Sequence, residues 1–434
     1  MLCKRDGARN LSSTRRPAIG RVLALFLLVL LCLAYLPPTV VASPTQGAEQ
    51  PQILYSLDTV VILAETTDTP GKGSLCRFQA LAQAANWYYG LNSYGRVDFS
   101  FTFMDADGPA GTRDWYNVGS TLSAYTGNEG GFVLAALQQA LAGADWPESV
   151  YLQRAIVVYA GAELLSDAAP FSSATFWQPD ASYVDVARGE HHTRVFIGSL
   201  ILVCEQDDLG TWVHELGHTL CTRQATRGTH GRISDRYNYY DQPNQRYGDV
   251  GRWDLMGSGS RWGNPIGTSP THMSSYTKEA AGWLHYRPAS LDQTYDLTAL
   301  ENQTMGDAVL TLDDPLSDDP LCYYILEARD SGAFFGAPES GVMLYHVTYD
   351  HQADHAVVDV VSPQQGDPSA IQSDLSYQRP TLHSAASADA AREYTNAVSG
   401  FRVVLLAESF SPYRATVRIE RYSPLSGEAL LPAD

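Results

Sequence analysis

The sequence predicts an α+β protein: a mixed α/β domain over residues 52–287, then a β-rich, sandwich-like region over residues 288–424 and a short tail at 425–434. Three observations predict it. Runs of Val, Ile and Leu alternate with stretches of three- and four-residue apolar spacing as far as Leu284. Past Leu284 the helical spacing stops, and short β-branched runs follow one another instead. The composition agrees: 25 Tyr, 13 Phe and 8 Trp with 35 Gly favour sheet and tight turns, and 44% hydrophobic against 18% charged residues can bury a large core.

Residues 1–42 stand apart from the fold. Six basic residues, the last of them Arg21, precede an apolar run from Val22 to Leu36 that is short for a membrane span. Pro37, Pro38 and the small-residue site Val40-Val41-Ala42 follow, the pattern of a cleaved export signal, with residues 43–51 a polar lead-in. Removing six basic residues and Asp6 moves the net charge from −19 to −24. So acidic a surface repels phosphate backbones and anionic lipid, which argues against nucleic acid as a partner and against a lasting membrane association. A secreted, extracellular protein is expected. Four cysteines then remain, Cys76, Cys204, Cys221 and Cys322. In an oxidising compartment they predict disulfides, with Cys204 and Cys221 the expected pair because both flank one helix.

In chain order, Leu57–Ala64 reads as a buried strand. Ser74 then caps a helix whose apolar positions, Phe78, Leu81, Ala85 and Tyr88, run to Gly90. Residues 93–103 alternate like a strand, Phe132–Leu141 repeat like a helix, and 155–161 and 194–204 are strands. The last strand leads into a helix over 210–221, with Asp207 or Asp208 placed to cap it. Residues 222–250 have no period and form an irregular loop. Strands are expected at 323–328, 341–348, 356–361, 402–408 and 415–421, with 362–400 a long polar loop.

The chemistry is concentrated in GTWVHELGHTLC, residues 210–221. His214 and His218 are four apart, so on a helix their imidazoles lie on one face, one turn apart, and can hold one Zn²⁺. Glu215 follows the first histidine, where the H-E-x-x-H pattern places the general base for a zinc-activated water. A catalytic zinc needs a third protein ligand and one open position. The place six residues after His218 holds Gln224, a poor ligand. Cys221 lies three residues on but suits a disulfide better, Glu279 suits a thermolysin-like arrangement, and His230 and Asp235 lie nearer in the loop. His272 and Tyr276 are candidates to orient a substrate. Asp105 with Asp107, and Asp313–Asp319, lack full calcium-loop spacing. Asn302-Gln303-Thr304 is a glycosylation sequon.

HELGHTL, ISDRYNYYD (233–241), RWDLMGSGS (252–260) and PTHMSSYTKEAAGWL (270–284) together resemble the secreted immune inhibitor A family of metallopeptidases, a metzincin-like group. The likeness extends upstream to SYGRV and AIVVYAG, and more loosely downstream to YYILEARDSG, GVMLYHV and VVSPQQGD. It implies a metzincin-like catalytic domain, zinc and calcium as cofactors, and protein or peptide substrates cut with Glu215 as base. It also implies Met256 as a turn beneath the metal and Asp235, flanked by Tyr237, as third ligand. This chain departs from the family in the longer stretch between His218 and Asp235, so His230 within that stretch is the alternative ligand. A different class of function, an exported binding or adhesin module with a structural zinc, would need a fourth ligand such as Cys221.

Overall fold

Strand β1 (Tyr55–Glu65) carries apolar residues at consecutive positions, so both of its faces need cover. The computed structural model describes residues 55–104, 114–142, 149–161, 174–177, 183–188, 191–222, 232–236, 248, 250–302, 309–352, 355–361, 381–382, 392–396 and 399–422. The expected export signal and lead-in, the tail, Asp105, Asp107, His230 and Tyr237 lie outside them. Val61 and Leu63 enter a core lined by helix α1 (Leu75–Asn92), while Ile62 and Ala64 enter a second core on the opposite face. The period of two along the strand divides one apolar run between two cores.

The chain continues through β2 (Val97–Phe103), β3 (Tyr116–Asn117), α2 (Glu129–Ala142), β4 (Ser149–Tyr159), β5 (Ala174–Trp177), β6 (Tyr183–Arg188) and β7 (His191–Cys204) to α3 (Leu209–His218). The sheet order is β2-β1-β4-β7-β5, with β3 beside β1 and β6 beside β7. β2, β1, β4 and β7 run parallel; β5 and β6 are antiparallel to β7. Helices α1 and α3 cover one face through Phe78, Tyr88, Tyr89, Trp212, Val213 and Leu216. The other face is covered by α2 through Phe132, Val133, Ala136 and Leu137. The chain leaves the carboxyl end of β7 and enters α3 directly, the edge where open α/β sheets place their ligands.

Several boundaries differ from the sequence expectation: the strand expected over 93–103 begins at Val97, and the helix expected over Phe132–Leu141 runs from Glu129 to Ala142. The strand expected at 155–161 begins at Ser149 and ends at Tyr159, and Gly161 turns out of it with φ 123°, a region open to glycine. The helix expected over 210–221 stops at His218. There Thr219 caps it, with its hydroxyl donating to the Leu216 carbonyl at 2.7 Å, and Cys221 pairs instead with Arg232 in an isolated antiparallel bridge.

Helix α4 (Ser275–Ala280) is followed by β8 (Arg287–Pro288), β9 (Gln293–Thr298), β10 (Leu310–Asp313), β11 (Tyr323–Arg329), β12 (Gly341–Asp350), β13 (His355–Val361), β14 (Glu393–Asn396), β15 (Phe401–Ser409) and β16 (Arg414–Arg421). They form two sheets, β13-β12-β11-β10-β8 and β14-β15-β16-β9. Leu326 and Leu344 from the first meet Phe401, Val403, Leu405 and Val417 from the second in one core. The loop expected at 362–400 contains β14, and Leu382 bridges to Val342; four residues are too few to show a period.

A further core joins the α/β and β-rich regions. It takes Tyr94, Val250, Trp253 and Leu284 from before residue 288 and Ile325, Met343, Tyr345 and Val358 from after it. Residues Pro51–Asp434 accordingly form one unit. Among the described residues, no helix is long and apolar enough to cross a membrane.

The expected Cys204–Cys221 disulfide is not formed, and among the described residues Cys76 and Cys322 are free as well. Cys204 is buried at the end of β7, where its thiol donates to the Gly161 carbonyl at 3.3 Å. Cys221 is exposed beyond the far end of α3, with Arg232 Nη1 3.4 Å from its sulfur. The length of the helix separates them. At the sequon, the Asn302 amide donates to Asp330 Oδ2 at 2.6 Å.

Candidate metal centre

Helix α3 starts where Asp208 accepts from the Thr211 backbone N–H at 3.0 Å, so Asp208 is the cap. Val213 and Leu216 are fully buried against α1 and the sheet, which turns the intervening face, with His214 and His218, toward the chain that follows. That chain returns to the helix at 232–236. Cys221 bridges Arg232, Ile233 N–H donates to the Leu220 carbonyl at 3.3 Å, and Arg236 N–H donates to the Met256 carbonyl at 2.8 Å. Asp235 is thereby carried to the two histidines, however the residues between 222 and 232 run.

His214 Nε2 lies 3.1 Å and His218 Nε2 3.4 Å from the same Asp235 oxygen, Oδ1. The two rings stand 4.9 Å apart at 87°. On the far side of each ring Nδ1 meets a backbone carbonyl, Leu255 O at 3.1 Å for His214 and Ile233 O at 2.8 Å for His218. A carbonyl has no proton to give, so each Nδ1 must carry one. In the neutral rings both Nε2 atoms are then lone pairs aimed at a carboxylate oxygen. Three acceptors facing one another need a shared positive charge, which a proton or a metal dication supplies.

The electrostatics say the same. Burial disfavours the charged form of both imidazoles, but Asp235 outweighs it: His214 is raised, and His218 is raised to about 9. Burial would also raise Asp235, yet the two histidines hold its carboxyl well below the ordinary carboxylate range.

Among the described residues, His214, His218 and Asp235 are the one group of His, Cys, Asp and Glu whose ligand atoms converge, all within 4.8 Å of one another. The group can hold a metal ion. Two imidazole nitrogens and a carboxylate oxygen suit zinc, and the histidine–carbonyl contacts are the outer support such ligands normally have. Each of the three side chains keeps 11–12% of its surface exposed, while the converging oxygen, Asp235 Oδ1, is itself buried.

The remaining candidates fall as follows. Glu215 is buried on α3, and its charge bears on both histidines and on Tyr89. Met256 is fully buried beneath α3: a Cβ added at Gly217 would lie 2.7 Å from its sulfur. Glu279 on α4 and the exposed Cys221 are not in the converging group. His272 precedes α4 and is buried, and burial with Lys278 and Arg329 nearby pushes its pKa well below the ordinary histidine value. Tyr276 packs its ring against the Arg236 guanidinium at 4.6 Å. The carbonyls of Leu255 and Ile233 escape sequence reading altogether, because any residue would supply the same atom. No family model and no curated protein matches the chain.

Proposed function

We propose that the chain is an exported zinc-dependent endopeptidase of metzincin-like, immune inhibitor A-like type. The convergence of His214, His218 and Asp235 beside Glu215 is the single observation that carries this reading. Zinc held by these three residues would supply Lewis acidity to a peptide carbonyl and to a water at the open fourth position. The chain's own residues do the rest. The Nδ1–H groups of His214 and His218, fixed on Leu255 and Ile233, keep both Nε2 lone pairs turned to the centre. Glu215 takes a proton from the attacking water and returns it to the leaving amine. Proteins and peptides are the substrates. The adhesin reading with a closed structural zinc is not favoured, since Cys221, its candidate fourth ligand, lies exposed against Arg232.

The test is proteolysis of a general protein substrate by the purified protein. Cleavage should stop when a chelator strips the metal and return when zinc is restored. Glu215→Gln should keep the zinc and lose about 10²–10⁴ in rate. Undiminished cleavage by metal-free protein, or by Glu215→Gln, rules the mechanism out.

A further inference from the structure

Asp254 is a fully buried carboxylate outside the metal group. Oδ1 accepts from Met256 N–H at 2.8 Å. Oδ2 accepts from Ser274 N–H at 3.2 Å, from the Thr277 hydroxyl at 2.6 Å and from the Ser274 hydroxyl. One donor on Oδ1 and three on Oδ2, around a side chain with no exposed surface, tie the carboxylate to its neighbours. It therefore holds structure in place instead of moving protons.

The segment that it holds touches the metal group once directly and once through a neighbour of a ligand. The next residue, Leu255, gives its carbonyl to His214 Nδ1 at 3.1 Å. Met256 follows: its carbonyl takes the N–H of Arg236, the neighbour of Asp235, at 2.8 Å, and its sulfur packs under α3 at Gly217. On the other side, the Trp253 carbonyl accepts from Arg329 at 2.7 Å, and Arg329 is itself fully buried between Glu301 and Glu327. Four consecutive residues thus tie the β-rich region and α4 to two of the three candidate ligands. The carboxylate of Asp254 is the only charged anchor within the four.

We propose that Asp254 is a positioning residue of the metal centre, acting through the Leu255 carbonyl on the tautomer of His214 and through Met256 on the placement of Asp235. The proposal rests on the reading that these residues hold zinc. Without the anchor, the Leu255 carbonyl loses its place, the proton on His214 Nδ1 loses its acceptor, and Nε2 is no longer held as the lone pair.

The experiment compares Asp254→Asn with the parent chain by zinc competition against a chromophoric chelator and by the visible spectrum of the cobalt(II)-loaded protein. Asn keeps an acceptor for Met256 N–H but turns an amide toward the Ser274 and Thr277 donors. The expected result is an affinity about tenfold weaker or more and an altered cobalt spectrum, with helix and sheet content unchanged. Thr277→Val, which removes one donor and leaves the carboxylate alone, should shift affinity in the same direction by less. Leu405→Ala, in the core between the two β-sheets, is the control: it should lower stability and leave zinc affinity where it was. A folded Asp254→Asn with parental affinity and spectrum overturns the proposal, as does an equal loss of affinity in Leu405→Ala. If Asp254→Asn does not fold, Thr277→Val decides, and unchanged affinity there is fatal. A parent chain that binds neither zinc nor cobalt defeats the metal reading itself, a separate failure.

Discussion

The α/β and β-rich regions both place histidines beside aspartates, and among the described residues only the α/β region brings a metal-ligating group together. In the β-rich region His346 Nε2 meets Asp314 at 3.0 Å and His351 Nε2 meets Asp319 at 2.7 Å. Each of those is one donor with one acceptor, completed by a single proton. The Asp314 and Asp319 carboxylates are further occupied by the backbone N–H groups of Leu316 and Leu321. At α3 the count is different. Two rings have spent their Nδ1 protons on carbonyls, and both remaining nitrogens point at one carboxylate oxygen. An excess of acceptors over protons, more than nearness of His to Asp, marks the candidate centre.

The contrast is tested most severely by removing one aspartate from each region. Asp235→Ala should lose more than about a hundredfold in zinc affinity, since even outer support of a ligand is worth 10–100-fold, and should lose proteolysis with it. Asp314→Ala should leave the bound zinc untouched. Metal analysis after gel filtration reads both, and zinc retained without Asp235 but lost with His230 would transfer the third position to that residue.

Packing beneath the centre gives a smaller effect. Gly217→Ala puts a Cβ 2.7 Å from the Met256 sulfur and 3.2 Å from the Tyr89 hydroxyl. We expect a loss of about 1–3 kcal/mol in thermal or denaturant unfolding. The same change at Gly90 in α1 meets nothing within 4 Å and should stabilise by up to ~1 kcal/mol. Equal effects at the two positions would mean that α3 is not tightly seated on Met256.

The least effect concerns pH in chelator-treated protein. The His218 value is raised by Asp235 to about 9, from an ordinary histidine value of about 6.5. The stabilisation is therefore fully present below the unfolded value and is lost as pH rises through the folded one. Melting temperature should fall by about 2–4 °C across that window relative to Asp235→Asn, which lacks the charge. Parallel melting curves for the two proteins would remove the coupling.

Much of this was legible in the chain itself. Four-residue spacing placed His214 and His218 on one face, because a helix repeats every 3.6 residues. The β-branched runs marked β1, β7, β11, β12, β13 and β15, because long buried strands leave few positions polar, and the alternation of Val417 and Ile419 with polar residues marked β16. The structure brings Asp235 to the pair, while His230 lies outside the described residues. Short elements such as β8, β10 and β14 were not legible, since two to four residues cannot show a period. Nor was the absence of the Cys204–Cys221 disulfide: sequence separation says nothing of the helix standing between the thiols. Only the tertiary structure decided which proton sits on which ring nitrogen and what holds the 253–256 segment. Those contacts run from Leu255 to His214 and from Asp254 to Thr277, across separations at which a sequence carries no local pattern.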